Sequence, residues 1–243
     1  MTENSLESNV KRTAIIFSVS SDIGTAMASR WLGRGWNVMG TYRTRSSELD
    51  RLESTGLESV FCDVSSAESV ASACAELRRR SPQWDVLVVC PGTQEPIGLF
   101  ADTSFEDWEA SVDLNFTSHL RTVHELLPHR ALGQKSVEPC VLFFAGGGTN
   151  NASVRYSAYT VSRIALIKMC ELLDAEIPDT RFSIIGPGWV GTKMHQETLL
   201  AGARAGANLD RTKQKLSSDE LTPMETVVDC CDWLIDGSSE VVS

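Results

Sequence analysis

Two short stretches of this chain carry residues that can do chemistry. In "YSAYTVSRIAL", residues 156–166, the phenol of Tyr159 stands four positions before the guanidinium of Arg163. A helix would place both on one face. A tyrosine exchanges protons usefully at neutral pH only if its pKa moves from about 10 toward 7, a bias of about 4 kcal/mol. A fixed cation one turn away supplies such a bias by favouring the phenolate. Arginine holds its own proton too firmly to relay it, so Arg163 would contribute charge and hydrogen bonds. The second stretch is "FSVSSDIG", residues 17–24, which lies between an apolar run and a helical pattern. Ser20 and Ser21 offer hydroxyls there, and a helix start offers free N–H groups to a phosphate. Asp22 works against that use. A carboxylate about 6 Å from phosphate costs roughly 3 kcal/mol at an effective dielectric near 20, unless it turns away to cap the helix. Ser18 also lacks the freedom of glycine at positive φ.

Such residues need elements to position them. Short apolar runs, "RTAIIFS", "WNVMGTY", "ESVFC", "DVLVVC", "CVLFFAG" and "FSIIGPG", alternate with stretches of helical spacing. Strands that are apolar throughout belong to a parallel sheet covered on both faces. Repeated βα units with right-handed crossovers then predict an α/β fold, a doubly wound sheet in three α/β/α layers, with ligands at the carboxyl ends of the strands. Residues 1–10 read as a loose polar tail and residues 11–243 as one domain, with no second composition regime. The net charge of −10 leaves no basic surplus for nucleic acid. The seven cysteines have no Cys-x-x-Cys spacing and fall mostly in apolar runs, as buried free thiols would. With no apolar run of membrane length and no secretory leader, a cytoplasmic protein is expected.

Taken in order, these stretches resemble the short-chain dehydrogenase/reductase family over nearly the whole chain. The resemblance implies a Rossmann-type single domain. The family's T-G-x-x-x-G-I-G loop corresponds to residues 17–24: Phe17 replaces the threonine, Ser18 and Asp22 replace the first two glycines, and Ile23 and Gly24 are kept. At the tip of the second strand, where an acidic residue would hold the ribose of NAD, Tyr42 and Arg43 stand instead. A guanidinium there suits a 2′-phosphate and points to NADP(H). Asp63 and Val64 match an Asp-Val pair whose carboxylate takes the adenine amino group, with helix capping as the alternative for Asp63. Cys90, Pro91 and Gly92 stand where the family has N-A-G. Asn115 matches an asparagine that organises a water chain.

The same resemblance places Tyr159 and Arg163 on the family's Y-x-x-x-K segment, with arginine for lysine. Gly146 stands where the family carries a serine that donates to the substrate oxygen, and loss of such a donor typically costs about 2.7–4 kcal/mol in the barrier. Thr149 is the expected stand-in, with Asn150 and the glycine backbone as alternatives. Pro187, Gly188, Val190 and Thr192 match the segment that wraps the nicotinamide. Trp189 would wall the substrate pocket, and residues 193–222 would form a mobile lid. The implied activity is NADP(H)-dependent reduction of a carbonyl, or the reverse, on a small polar substrate; the polar residues of "GGGTNN" point to a hydroxylated, sugar-like one. Two alternatives stay open: a halohydrin dehalogenase-like lyase with a Tyr/Arg centre, and a catalytically silent scaffold. A homodimer or homotetramer is implied, with no metal, membrane or nucleic acid.

Overall fold

The apolar runs lie side by side. In the computed structural model, which describes residues 11–133, 138–147, 151–218 and 220–237, six parallel strands form one sheet in the order β3-β2-β1-β4-β5-β6. They are β1 Thr13–Phe17, β2 Asn37–Tyr42, β3 Glu58–Phe61, β4 Val86–Val89, β5 Cys140–Phe144 and β6 Arg181–Ile185. The order reverses between β1 and β4. The loops leaving these two strands therefore face each other across a crevice, the usual ligand position in such sheets.

Alternate residues of β1 serve opposite layers. Ala14 and Ile16 pack with Met27, Ala28 and Trp31 of helix α1 (Asp22–Gly33) and with Val227, Val228 and Cys231 of α9 (Met224–Asp236). Ile15 and Phe17 pack with Cys74 and Leu77 of α3 (Ala67–Arg80), Val123 and Leu126 of α5 (Ser118–Leu126), and Leu166 of α6 (Ser157–Glu176). Two apolar cores, one on each face, make this a doubly wound Rossmann-type sheet. The buried Trp31 indole is paired: it donates to Asp232, which also accepts from Arg30 and Arg34.

The remaining helices are α2 (Ser47–Ser54), α4 (Phe105–Val112), α7 (Met194–Ala201) and α8 (Ala207–Leu216). The helical stretch over 105–127 is interrupted by a π-helical turn at Asp113–Thr117. The Ser118 N–H reaches back to the Asp113 carbonyl, and the wider turn pushes Asn115 inward to full burial. Such turns often mark functional positions. All seven cysteines are free thiols; Cys230 departs from the expected burial and is exposed on α9. Among the described residues no helix is long and apolar enough to cross a membrane.

Candidate active site

The loop after β1 keeps the shape of a glycine loop without its first two glycines. Ser18 adopts φ +60°, the left-handed region, and its N–H donates to Thr41 Oγ1 at 3.0 Å. Ser21 caps α1, accepting the Gly24 N–H at 3.1 Å. Gly24 is required for close approach, since a Cβ there would stand 2.6 Å from the Ser18 carbonyl oxygen. Ser20 is half-buried in the turn, and Ile23 packs on the α1 side of the core. Left-handed backbone costs a non-glycine residue about 1–2 kcal/mol, and glycine gives back part of that through a more flexible unfolded chain. Ser18→Gly is therefore expected to stabilise the protein by roughly 0.5–1 kcal/mol, a rise in Tm of about 1–4 °C by calorimetry.

Asp22 does not cap its helix. Its Oδ2 instead accepts the backbone N–H of Lys193 at 2.7 Å, across the crevice. Arg43 is exposed at the end of β2. Asp63 holds its carboxyl below the usual range, first through the Ser65 hydroxyl and also through the charge of Arg43. Asp63 Oδ1 accepts from the Ser65 N–H at 3.1 Å and hydroxyl at 2.7 Å; the cap of α3 is Ser66. Val64 is buried in the core beside α3. Cys90 is half-buried after β4, and burial pushes its thiol up to about 12, against a hydrogen bond with Ser21.

Beneath the crevice lies a buried cation. Arg163 Nη2 donates to the Pro91 carbonyl at 2.9 Å and to Asn115 Oδ1 at 3.1 Å, and Nη1 donates to the Phe144 carbonyl at 3.1 Å. These acceptors are neutral, and among the described residues Arg163 has no ion-pair partner. Its Nε is buried without a hydrogen bond. The guanidinium carbon lies 5.3 Å from the centre of the Tyr159 ring. Burial pulls the guanidinium below its usual range, and the Tyr159 oxygen counteracts this. Arg163 thus lies under the floor, pinned by carbonyls.

Asn115 is committed just as firmly. Its amide nitrogen donates to the Thr93 and Ser111 carbonyls at 2.9 and 3.0 Å, and Oδ1 accepts the Thr93 N–H at 3.1 Å. It braces Thr93 against Arg163. His119 lies one helical turn beyond it, with Nε2 3.4 Å from Arg163 Nη1. Burial, and next the Arg163 charge, hold this imidazole well below its ordinary range, so it stays neutral. Helical spacing from Asn115 could have flagged His119.

Tyr159 is buried, and its hydroxyl meets Met194 Sδ at 3.8 Å. A Cβ at Gly146 would lie 2.4 Å from the Tyr159 hydroxyl oxygen, so the phenol occupies room that a serine there would need. Thr149 and Asn150 lie outside the described residues. Tyr156 is engaged elsewhere, through a 2.9 Å hydrogen bond with Thr198 Oγ1.

The 187–192 segment and α7 close the crevice from the other side. Pro187 is half-buried and Gly188 exposed at φ +75°. Val190 is buried, and its carbonyl accepts from His195 Nε2 at 2.8 Å. Thr192 is half-buried, and its carbonyl accepts the His195 N–H. Trp189 stacks on His195 at 5.0 Å, with Arg211 5.6 Å from its ring, so its faces are taken by neighbours. On α7, Glu197 accepts from the Thr93 hydroxyl at 3.2 Å and the Gln94 N–H at 2.5 Å. Burial raises its carboxyl pKa against these bonds. Met194, Glu197 and Thr93 carry no local sequence signal that would have singled them out.

A family model described as enoyl-(acyl carrier protein) reductase matches residues 18–243. The chain is 24% identical over 185 residues to an uncharacterized oxidoreductase of Schizosaccharomyces pombe, covering 76% of this chain and 73% of that one. It is 31% identical over 119 residues to serine 3-dehydrogenase of Rhizobium radiobacter, covering 48% of this chain and 47% of that enzyme. Its fold superposes on the crystal structure of the KRED1-Pglu enzyme with a TM-score of 0.84 at 23% identity, over 96% of this chain and 98% of that one. With the strand order, the crevice and the Tyr159–Arg163 pair in place, the match over residues 18–243 shows that this chain belongs to the short-chain dehydrogenase/reductase family of oxidoreductases.

Proposed function

We propose that the chain is an NADP(H)-dependent oxidoreductase that interconverts a carbonyl and an alcohol on a small polar substrate. The observation that carries this reading is Tyr159 stacked against a buried guanidinium that has only neutral partners. Such a charge stabilises negative charge as it develops on the phenol oxygen and lets the hydroxyl give or take a proton at the substrate oxygen. A nicotinamide held there would supply or accept the hydride. Asn115 and the Pro91 and Phe144 carbonyls keep the guanidinium from moving toward solvent, and neutral His119 adds no competing charge. Gly146 brings no hydroxyl to the substrate oxygen, and Thr149 is the residue we assign to that role.

The loop backbone supports a dinucleotide. Ser18 takes the φ a glycine would, Gly24 leaves room for the tight turn, and Ser20 and Ser21 line the positive end of α1. Gly92 and the Pro187–Thr192 segment supply the other side, with Val64 and Asp63 toward the adenine end. Exposed Arg43 favours a 2′-phosphate over a bare ribose hydroxyl. Residues 193–222 act as the substrate lid of a single domain over residues 11–243. Val161, Ile164 and Leu172 are exposed along α6 and support a homo-oligomer.

Nicotinamide fluorescence tests this directly. NADPH is expected to bind more tightly than NADH, and Arg43→Ala to weaken NADPH about tenfold or more, the worth of one charge-assisted contact, while leaving NADH unchanged. Equal loss for both cofactors would remove Arg43 from the 2′-phosphate. Absence of binding by either would overturn the oxidoreductase reading.

A further inference from the structure

Asp22 is the first residue of α1, yet Ser21 does the capping. Its carboxylate spans the crevice and takes the Lys193 N–H at 2.7 Å, with Lys193 Nζ at 3.9 Å. The positive end of a helix attracts a carboxylate for the reason it attracts a phosphate, so the two compete for one place. One residue further, Met194 reaches the other half of the crevice. Its Sδ meets the Tyr159 hydroxyl at 3.8 Å, and its methyl carbon would stand 3.1 Å from a Cβ at Gly92. The thioether therefore fills the space between Gly92 and Tyr159. Glu197 and Thr198 hold the same helix down, on Thr93 and Gln94. Residues 193–198 are thus tied to the loops after β1 and β4 and to α6.

We propose that Asp22 and Met194 form an internal latch, which occupies the contacts a dinucleotide's pyrophosphate and nicotinamide need and so sets the affinity for cofactor. This rests on reading the crevice as a dinucleotide site. A latch closed nearly all of the time lowers apparent affinity by the fraction left open, so about 1% open gives a hundredfold loss. Opening it must show in two places: in the ligand-free protein, as lost protection of the Lys193 amide, and in NADPH affinity.

The test compares wild type, Asp22→Gly and Met194→Ala by amide hydrogen exchange without ligand and by NADPH fluorescence titration. Asp22→Gly is expected to speed exchange across residues 192–195 at least tenfold and to tighten NADPH at least tenfold. Met194→Ala is expected to tighten NADPH severalfold with the Lys193 amide still protected. Wild type and Asp22→Gly binding NADPH equally would overturn the latch and leave the cofactor reading intact. Tighter binding by Asp22→Gly with unchanged exchange would also overturn it, in favour of plain charge repulsion. Neither protein binding NADPH or NADH would overturn the cofactor reading and the latch's role with it.

Discussion

Arg163→Met is expected to lower turnover about a hundredfold at neutral pH and to lower Tm by about 6–12 °C, whereas Arg163→Lys should recover most of the turnover and little of the stability. The two losses have different origins. A unit charge 5.3 Å from the Tyr159 ring stabilises negative charge developing on the phenol in the transition state by about 3 kcal/mol at an effective dielectric near 20, roughly a hundredfold in rate. Methionine removes that stabilisation, and turnover falls with it. Stability falls because the Pro91 and Phe144 carbonyls lose the Arg163 donors and Asn115 Oδ1 keeps only the Thr93 N–H. A buried acceptor left unsatisfied costs about 1–3 kcal/mol, and relief from burying the charge offsets part of the sum. A net loss near 3 kcal/mol gives the stated change in Tm. Lysine restores the charge, but one compact ammonium cannot reproduce a planar fork set between three acceptors. Turnover measured at one neutral pH and a calorimetric scan separate the two effects. Equal turnover loss in both variants would mean that guanidinium geometry, and not charge, is what Tyr159 needs.

The contrast between what the residues announce and what they hide follows from the range of the contacts. Runs such as "AIIF" and "VLFF" announce buried parallel strands because both faces of the sheet are covered, and β1 and β5 are buried along their whole length. The spacing of Tyr159 and Arg163 is a local helical fact and survives into the structure unchanged. The direction of Arg163 is not local: its acceptors come from positions 91, 115 and 144, and no periodicity reports which carbonyls a fold leaves free. The same holds for Asp22, whose partner is 171 residues away. Residues 193–222 read as a loose lid because they are small and polar. Within that stretch Met194–Ala201 form α7, held by Glu197 and Thr198 on the loop after β4.

Restoring the family's serine at position 146 should harm this chain rather than repair it. Gly146→Ser places a Cβ 2.4–2.6 Å from the Tyr159 hydroxyl oxygen, Cζ and Cε1, distances that force the ring to move. The expected cost is about 1–3 kcal/mol, as for other overpacked cores, together with a turnover loss of about tenfold to a hundredfold because the phenol leaves its place over Arg163. The ring's exit is blocked by Met194, whose sulfur sits 3.8 Å from the hydroxyl. Met194→Ala opens that space. The double variant Gly146→Ser with Met194→Ala should then regain turnover beyond the product of the two single effects, a coupling expected of residues in contact. A new hydroxyl beside a relocated phenol would add the donor that Gly146 lacks, worth about 2.7–4 kcal/mol where such groups have been removed elsewhere. Strict additivity of the two substitutions would show that Tyr159 does not work in the space between positions 146 and 194.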